Sequence, residues 1–122
     1  MRVILLFAVL FTSQLSLALS KSVFVAQTTT GASSAIRPEN LAQTNQVFQA
    51  SGTTASGTGS ATIKLQGSND GTNWVDIGSI SLTLGTAATS DKVVSVQNWL
   101  FVRGNVTALT GTGASINATL NY

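Results

Sequence analysis

Beyond residue 20 the chain alternates apolar and polar side chains with a period of two. In Ala61-Thr62-Ile63-Lys64-Leu65-Gln66, one face carries Ala, Ile and Leu and the other Thr, Lys and Gln. Ile80, Leu82 and Leu84 share a face in Ser79–Leu84, as do Ile116, Ala118 and Leu120 in Ser115–Leu120. This is the signature of half-buried antiparallel strands, whose successive side chains point to opposite faces. Further strands are expected at Ser22–Ala26, Gln46–Ala50, Trp74–Ile77, Lys92–Val96, Trp99–Arg103 and Asn105–Leu109. Turn chemistry separates them, most strongly at Ser68-Asn69-Asp70-Gly71, where Asn, Asp and Gly tolerate positive φ. Gln27–Ser34, Ser51–Ser60, Gly85–Asp91 and Thr110–Gly113 read as loops, and Arg37–Ala42 as a single helical turn. Short strands at this spacing predict an all-β fold: one antiparallel β-sandwich or jelly-roll-like domain over 21–122, with roughly seven to nine strands.

Residues 1–20 follow a different pattern. Arg2 precedes an apolar run that includes Val3, Ile4, Leu5, Leu6, Phe7, Val9, Leu10 and Phe11. Thr12–Ser16 is more polar, and Ala18 and Ser20 place small side chains before Lys21. A charged start, an apolar centre and a small-residue end predict an export signal cleaved before Lys21. Left uncleaved, the same segment predicts an N-terminal apolar helix anchored in a membrane. Its pure apolar run falls short of the about 20 residues that a comfortable span requires.

Composition narrows the chemistry. The chain has 122 residues, and only 8% of them are charged. It contains no His and no Cys, which excludes Ser-His-Asp and Cys-His catalysis, His- or Cys-ligated metals and disulfides. Six cations against four carboxylates form no basic stripe, so no nucleic-acid partner is expected. The carboxylates Glu39, Asp70, Asp76 and Asp91 are scattered among turns and strands, and no catalytic pair is expected of them. Asn69, Asp70 and Asp76 supply too few oxygens for calcium and read instead as turn chemistry. Gly111-Thr112-Gly113 lacks the strand-to-helix setting and the Lys of a phosphate loop. No enzyme, cofactor or metal is therefore expected. Trp74 and Trp99 are either core residues or a stacking platform for a sugar or a partner. Trp99, Phe101 and Arg103 are expected on one face of their strand, opposite Leu100 and Val102. With 17 Thr and 15 Ser, the chain offers faces that desolvate cheaply and repel one another little, which favours self-association.

Two segments carry a resemblance. Gly67-Ser68-Asn69-Asp70-Gly71-Thr72-Asn73-Trp74-Val75-Asp76-Ile77 resembles a hairpin of small bacteriophage virion proteins. Asn98-Trp99-Leu100-Phe101-Val102-Arg103, followed by a Thr- and Gly-rich hairpin, resembles them too. The resemblance covers residues 60–122 and implies a β-sandwich subunit that builds, decorates or projects from a phage particle. The Ser-Asn-Asp-Gly-Thr-Asn-Trp core is also similar to discoidin-type carbohydrate-binding modules, which are longer.

The expected protein is a non-enzymatic structural subunit, exported or membrane-associated, on a virion surface or extracellular. Its expected partners are copies of itself, other structural proteins, and a membrane through residues 1–20 if these are uncleaved. Trp74, Trp99, Phe101 and Arg103 are its expected interface or core anchors, and Asn69, Asp70 and Gly71 its exposed turn. The alternatives are a secreted glycan-binding module, with exposed Trp74 and Trp99, and an exported bacterial filament subunit.

Overall fold

The computed structural model describes residues 19–38, 45–96 and 98–122. They form eight strands: β1 (Ser20–Gln27), β2 (Gly31–Ala32), β3 (Gln46–Thr53), β4 (Ser56–Ser68), β5 (Val75–Leu84), β6 (Thr89–Ser95), β7 (Phe101–Thr112) and β8 (Ser115–Asn121). Two four-stranded antiparallel sheets have the orders β1-β8-β3-β6 and β2-β7-β4-β5. Strand 1 thus pairs with 8, 2 with 7, 3 with 6 and 4 with 5. This nested pairing is the double-sheet wrap of a jelly roll. The expected apolar helix, with Val3, Ile4, Leu5, Leu6, Phe7, Val9, Leu10 and Phe11, lies outside the described residues, as does most of the expected helical turn.

The core fills the space between the sheets. Ala61, Ile63 and Leu65 of β4 are buried against Ile80, Leu82 and Leu84 of β5 and Val102 and Val106 of β7. The facing sheet contributes Phe24, Phe48, Ala50, Ile116, Ala118 and Leu120. Each alternating segment read in the sequence turns its apolar set inward, because the opposite register would strand it in water.

Several boundaries differ from the sequence reading: the expected loop Gln27–Ser34 holds β2, and β7 runs through Thr112 into the expected loop Thr110–Gly113, because Val106, Asn105 and Ser56 supply pairing partners there. The expected loop Ser51–Ser60 is mostly strand, interrupted only at Thr54 and Ala55. Its Thr residues suit extended backbone, and each side of the turn has neighbours to pair with: Gly52 opposite Ile116, Ser60 opposite Thr83 and Thr110. β6 likewise begins at Thr89, so Asp91 lies inside a strand, opposite Ala50. The pairs Trp74–Ile77 with Ser79–Leu84, and Trp99–Arg103 with Asn105–Leu109, each fuse into a single long strand; β5 starts at Val75 and β7 at Phe101.

The ends of the sandwich are unlike. At one end Leu19 and Tyr122 exchange backbone hydrogen bonds of 2.8 and 2.9 Å. The β4–β5 turn and the start of β7 lie at the corresponding end of the second sheet, where Val75, Val94, Val96 and Trp99 line one hollow. At the other end the β3–β4 turn donates from Thr54 N to Gly85 O and from Ala55 N to Thr112 O. Among the described residues no helix is long and apolar enough to cross a membrane.

Candidate functional site

The outer face of the β2-β7-β4-β5 sheet carries a chain of contacts between charged and aromatic residues. Alternation along β4 places Lys64 and Gln66 on this face, while Ile63 and Leu65 turn inward. Register sets Gln66 opposite both Asp76 on β5 and Arg103 on β7. Lys64 Nζ donates to Asp76 Oδ2 at 2.6 Å, and Gln66 Nε2 donates to Asp76 Oδ1 at 2.7 Å. Arg103 Nε donates to Gln66 Oε1 at 2.9 Å. The Arg103 guanidinium carbon lies 4.2 Å from the centre of the Trp74 ring, a cation–π stack. The Lys64 hydrogen bond, then that of Gln66, holds the Asp76 carboxyl below the usual carboxylate range.

Gln66 orients this chain. It is 9% exposed, and its amide faces an acceptor-only carboxylate on one side and a donor-only guanidinium on the other. Its orientation and the aim of Arg103 are thereby fixed together. Arg103 pairs with no carboxylate of the described residues.

The neighbouring turn is self-contained. Asp70 Oδ1 accepts from the backbone N–H groups of Thr72 and Asn73, both at 2.8 Å, and from Ser68 Oγ at 2.9 Å. Asp70 Oδ2 accepts from Asn73 Nδ2 at 2.8 Å. These bonds, that from Asn73 N first, hold the Asp70 carboxyl far below its ordinary value. Gly71 adopts φ +74°, the left-handed region that this turn needs. Asn69, Asp70 and Gly71 are all exposed. The Phe101 ring reaches the turn: a Cβ on Gly71 would stand 3.7 Å from it.

The structure separates the four aromatic and cationic residues singled out in the sequence. Phe101 and Arg103 share the outer face with Trp74. Trp99 does not join them, because β7 begins only at Phe101 and alternation does not reach back to residue 99. The Trp99 ring lies instead over Gly67, where a Cβ would overlap it, and packs against the core. Its Nε1 is buried without a hydrogen-bond acceptor. Gln66 and Lys64 were legible as outward-facing but not as partners of Asp76 and Arg103, since cross-strand register decides that.

A second surface feature lies at the edge of the sandwich. β5 and β6 each pair on one side only, and their open edges run side by side. Between them lies a hollow lined by Val75, Asp76, Ile77, Val94, Val96 and Trp99. Val75, Val94 and Val96 are 53%, 50% and 70% exposed. The opposite edge of β6's own sheet is irregular: β1 carries two register shifts and Ala26 at φ +48°, features that discourage pairing with another strand. β6 pairs with β3 in unbroken register and has no such irregularity.

Among the described residues no cluster of three or more His, Cys, Asp or Glu could hold a metal. No known family model and no curated protein matches the sequence. Among solved structures, the chain is similar to PBSX exported protein XepA, with a TM-score of 0.53 and 8% identity. The match covers 84% of this chain but 36% of that one, so the chain spans about a third of that protein, and the likeness is one of fold.

Proposed function

We propose that the chain is a non-enzymatic structural subunit of a phage particle, a shell, decoration or spike protein. It acts by packing against copies of itself or against other structural proteins. It is exported, or held at a membrane through residues 1–20. The observation that carries this reading is the β5/β6 edge: strand edges open on one side, beside exposed Val75, Val94 and Val96, are a surface suited to burial by a partner. The jelly-roll wrap, frequent in capsid proteins, supports it by fold analogy. So does the likeness to an exported protein of similar fold.

The glycan-binding alternative requires two exposed, coplanar indole rings. Trp74 is half-buried with Arg103 stacked on it, and Trp99 packs over Gly67. That arrangement favours the structural reading. An exported filament subunit shares the same assembly logic. The test is light scattering on the full chain over a concentration series, with Val94→Lys as the comparison. The expected result is concentration-dependent oligomers that Val94→Lys reduces; a monomer throughout would overturn self-association and leave packing on other structural proteins as the mode of action.

A further inference from the structure

Charge accounting on the described surface leaves one carboxylate and one positioned cation without an ion-pair partner. Asp76 is bound by Lys64 and Gln66, and Asp70 is closed into its own turn. Asp91 is exposed and, among the described residues, pairs with no cation; its Oδ1 accepts from Lys92 N at 2.8 Å. Alternation along β6 turns Asp91 and Lys92 to opposite faces: Asp91 stands opposite buried Ala50 and Lys92 opposite exposed Gln49. Asp91 also lies on an edge strand, with no strand beyond it.

Arg103 is the complementary group. Exposed cations such as Lys21 and Lys92, whose side chains bond to nothing among the described residues, would lose side-chain entropy on pairing. Arg103 has already lost it: Trp74 holds its guanidinium plane and Gln66 its Nε, leaving both Nη groups as donors. A planar fork fixed in this way matches a carboxylate in two-point geometry. No acceptor within the described chain supplies it.

We propose that the Arg103 fork of one copy receives the Asp91 carboxylate of a second copy, setting the β6 edge of one subunit on the outer β7/β4 face of the next. The proposal rests on the self-association reading above and names its contact. Made head to tail, the contact leaves a free Arg103 at one side of each pair and a free Asp91 at the other; made reciprocally about a two-fold axis, it closes a dimer.

The experiment is sedimentation velocity on the full chain as wild type, Arg103→Glu, Asp91→Arg and the double reversal. Each single reversal weakens association roughly tenfold or more, and the double reversal restores it. Thermal unfolding of each variant accompanies the series, and Arg103→Gln with Asp91→Asn substitutes if a reversal prevents folding; each then weakens association. Association that ignores both residues, or is not restored by the double reversal, overturns the contact while self-association stands. A wild-type monomer at every concentration overturns both. Free glucuronate is the final arm: if it quenches Trp74 fluorescence equally with and without Asp91→Arg while association is unchanged, the fork receives a small acid and the proposal fails.

Discussion

At the residue scale, the β4–β5 turn and its surroundings show how few side chains position the outer face. Asp70 organises the turn by accepting four hydrogen bonds from Ser68, Thr72 and Asn73. Trp74 follows directly, so the turn determines where the indole meets Arg103. The bonds favour the ionised carboxylate and depress its folded-state value. A depressed value contributes stability above the unfolded value and loses it as pH falls toward the folded one. Asp70→Ala is therefore expected to lower the urea midpoint at neutral pH. The gap from wild type should narrow as pH falls below about 4, the ordinary range of Asp. A gap constant down to pH 2 would mean that the turn does not depend on that charge. Gly67 shows the opposite dependence, on the lack of a side chain: the Trp99 ring occupies the space that a Cβ would need.

At the element scale, the pattern of the sequence and the structure agree where burial is one-sided. Ala61, Ile63 and Leu65, then Ile80, Leu82 and Leu84, then Ile116, Ala118 and Leu120, all face the core as their alternation predicts. Agreement ends where side chains are small. Ser51–Ser60 has no apolar alternation, yet pairs on both sides of a two-residue turn, because its neighbours supply the partners. Trp99 was misplaced for a related reason, since alternation carries no mark of where a strand starts. Lys21–Ala26 is not a free strand open to a neighbour's sheet. β1 pairs along β8 of its own chain and buries Phe24. Starting the chain at Gln27 should thus remove at least about 3 kcal/mol, the usual cost of losing a core Phe. Among the described residues, starting it at Lys21 removes the Leu19–Tyr122 exchange and one adjoining pair, about 1–2 kcal/mol. Urea unfolding of the two truncated chains measures the contrast. Equal losses would mean that β1 contributes through its ends rather than through Phe24.

At the scale of the whole molecule, the nested strand order gives the sandwich two chemically different ends. Leu19 and Tyr122 lie together at one of them, with Asp70, Trp74 and Arg103 toward that same end of the second sheet. Ala55, Gly85 and Thr112 gather at the other. The turns at Asn69–Gly71 and within Ser51–Ser60 therefore point in opposite directions, which strand patterning alone does not reveal. The consequence concerns residues 1–20. A subunit held to a membrane through that segment would be held at the Leu19 end. The Ala55 end would then project outward, and the Asn69 turn would sit near the lipid. The chain has no native Cys, so a single introduced thiol reports accessibility without competition. In membrane-bound material, Ala55→Cys should react with a membrane-impermeant maleimide severalfold faster than Asn69→Cys, and the two rates should converge after detergent. Equal rates before detergent would mean that the N-terminal segment is not what holds the subunit. The contact proposed at Arg103 would then stand free of any lipid, since its face would be as open as the far end.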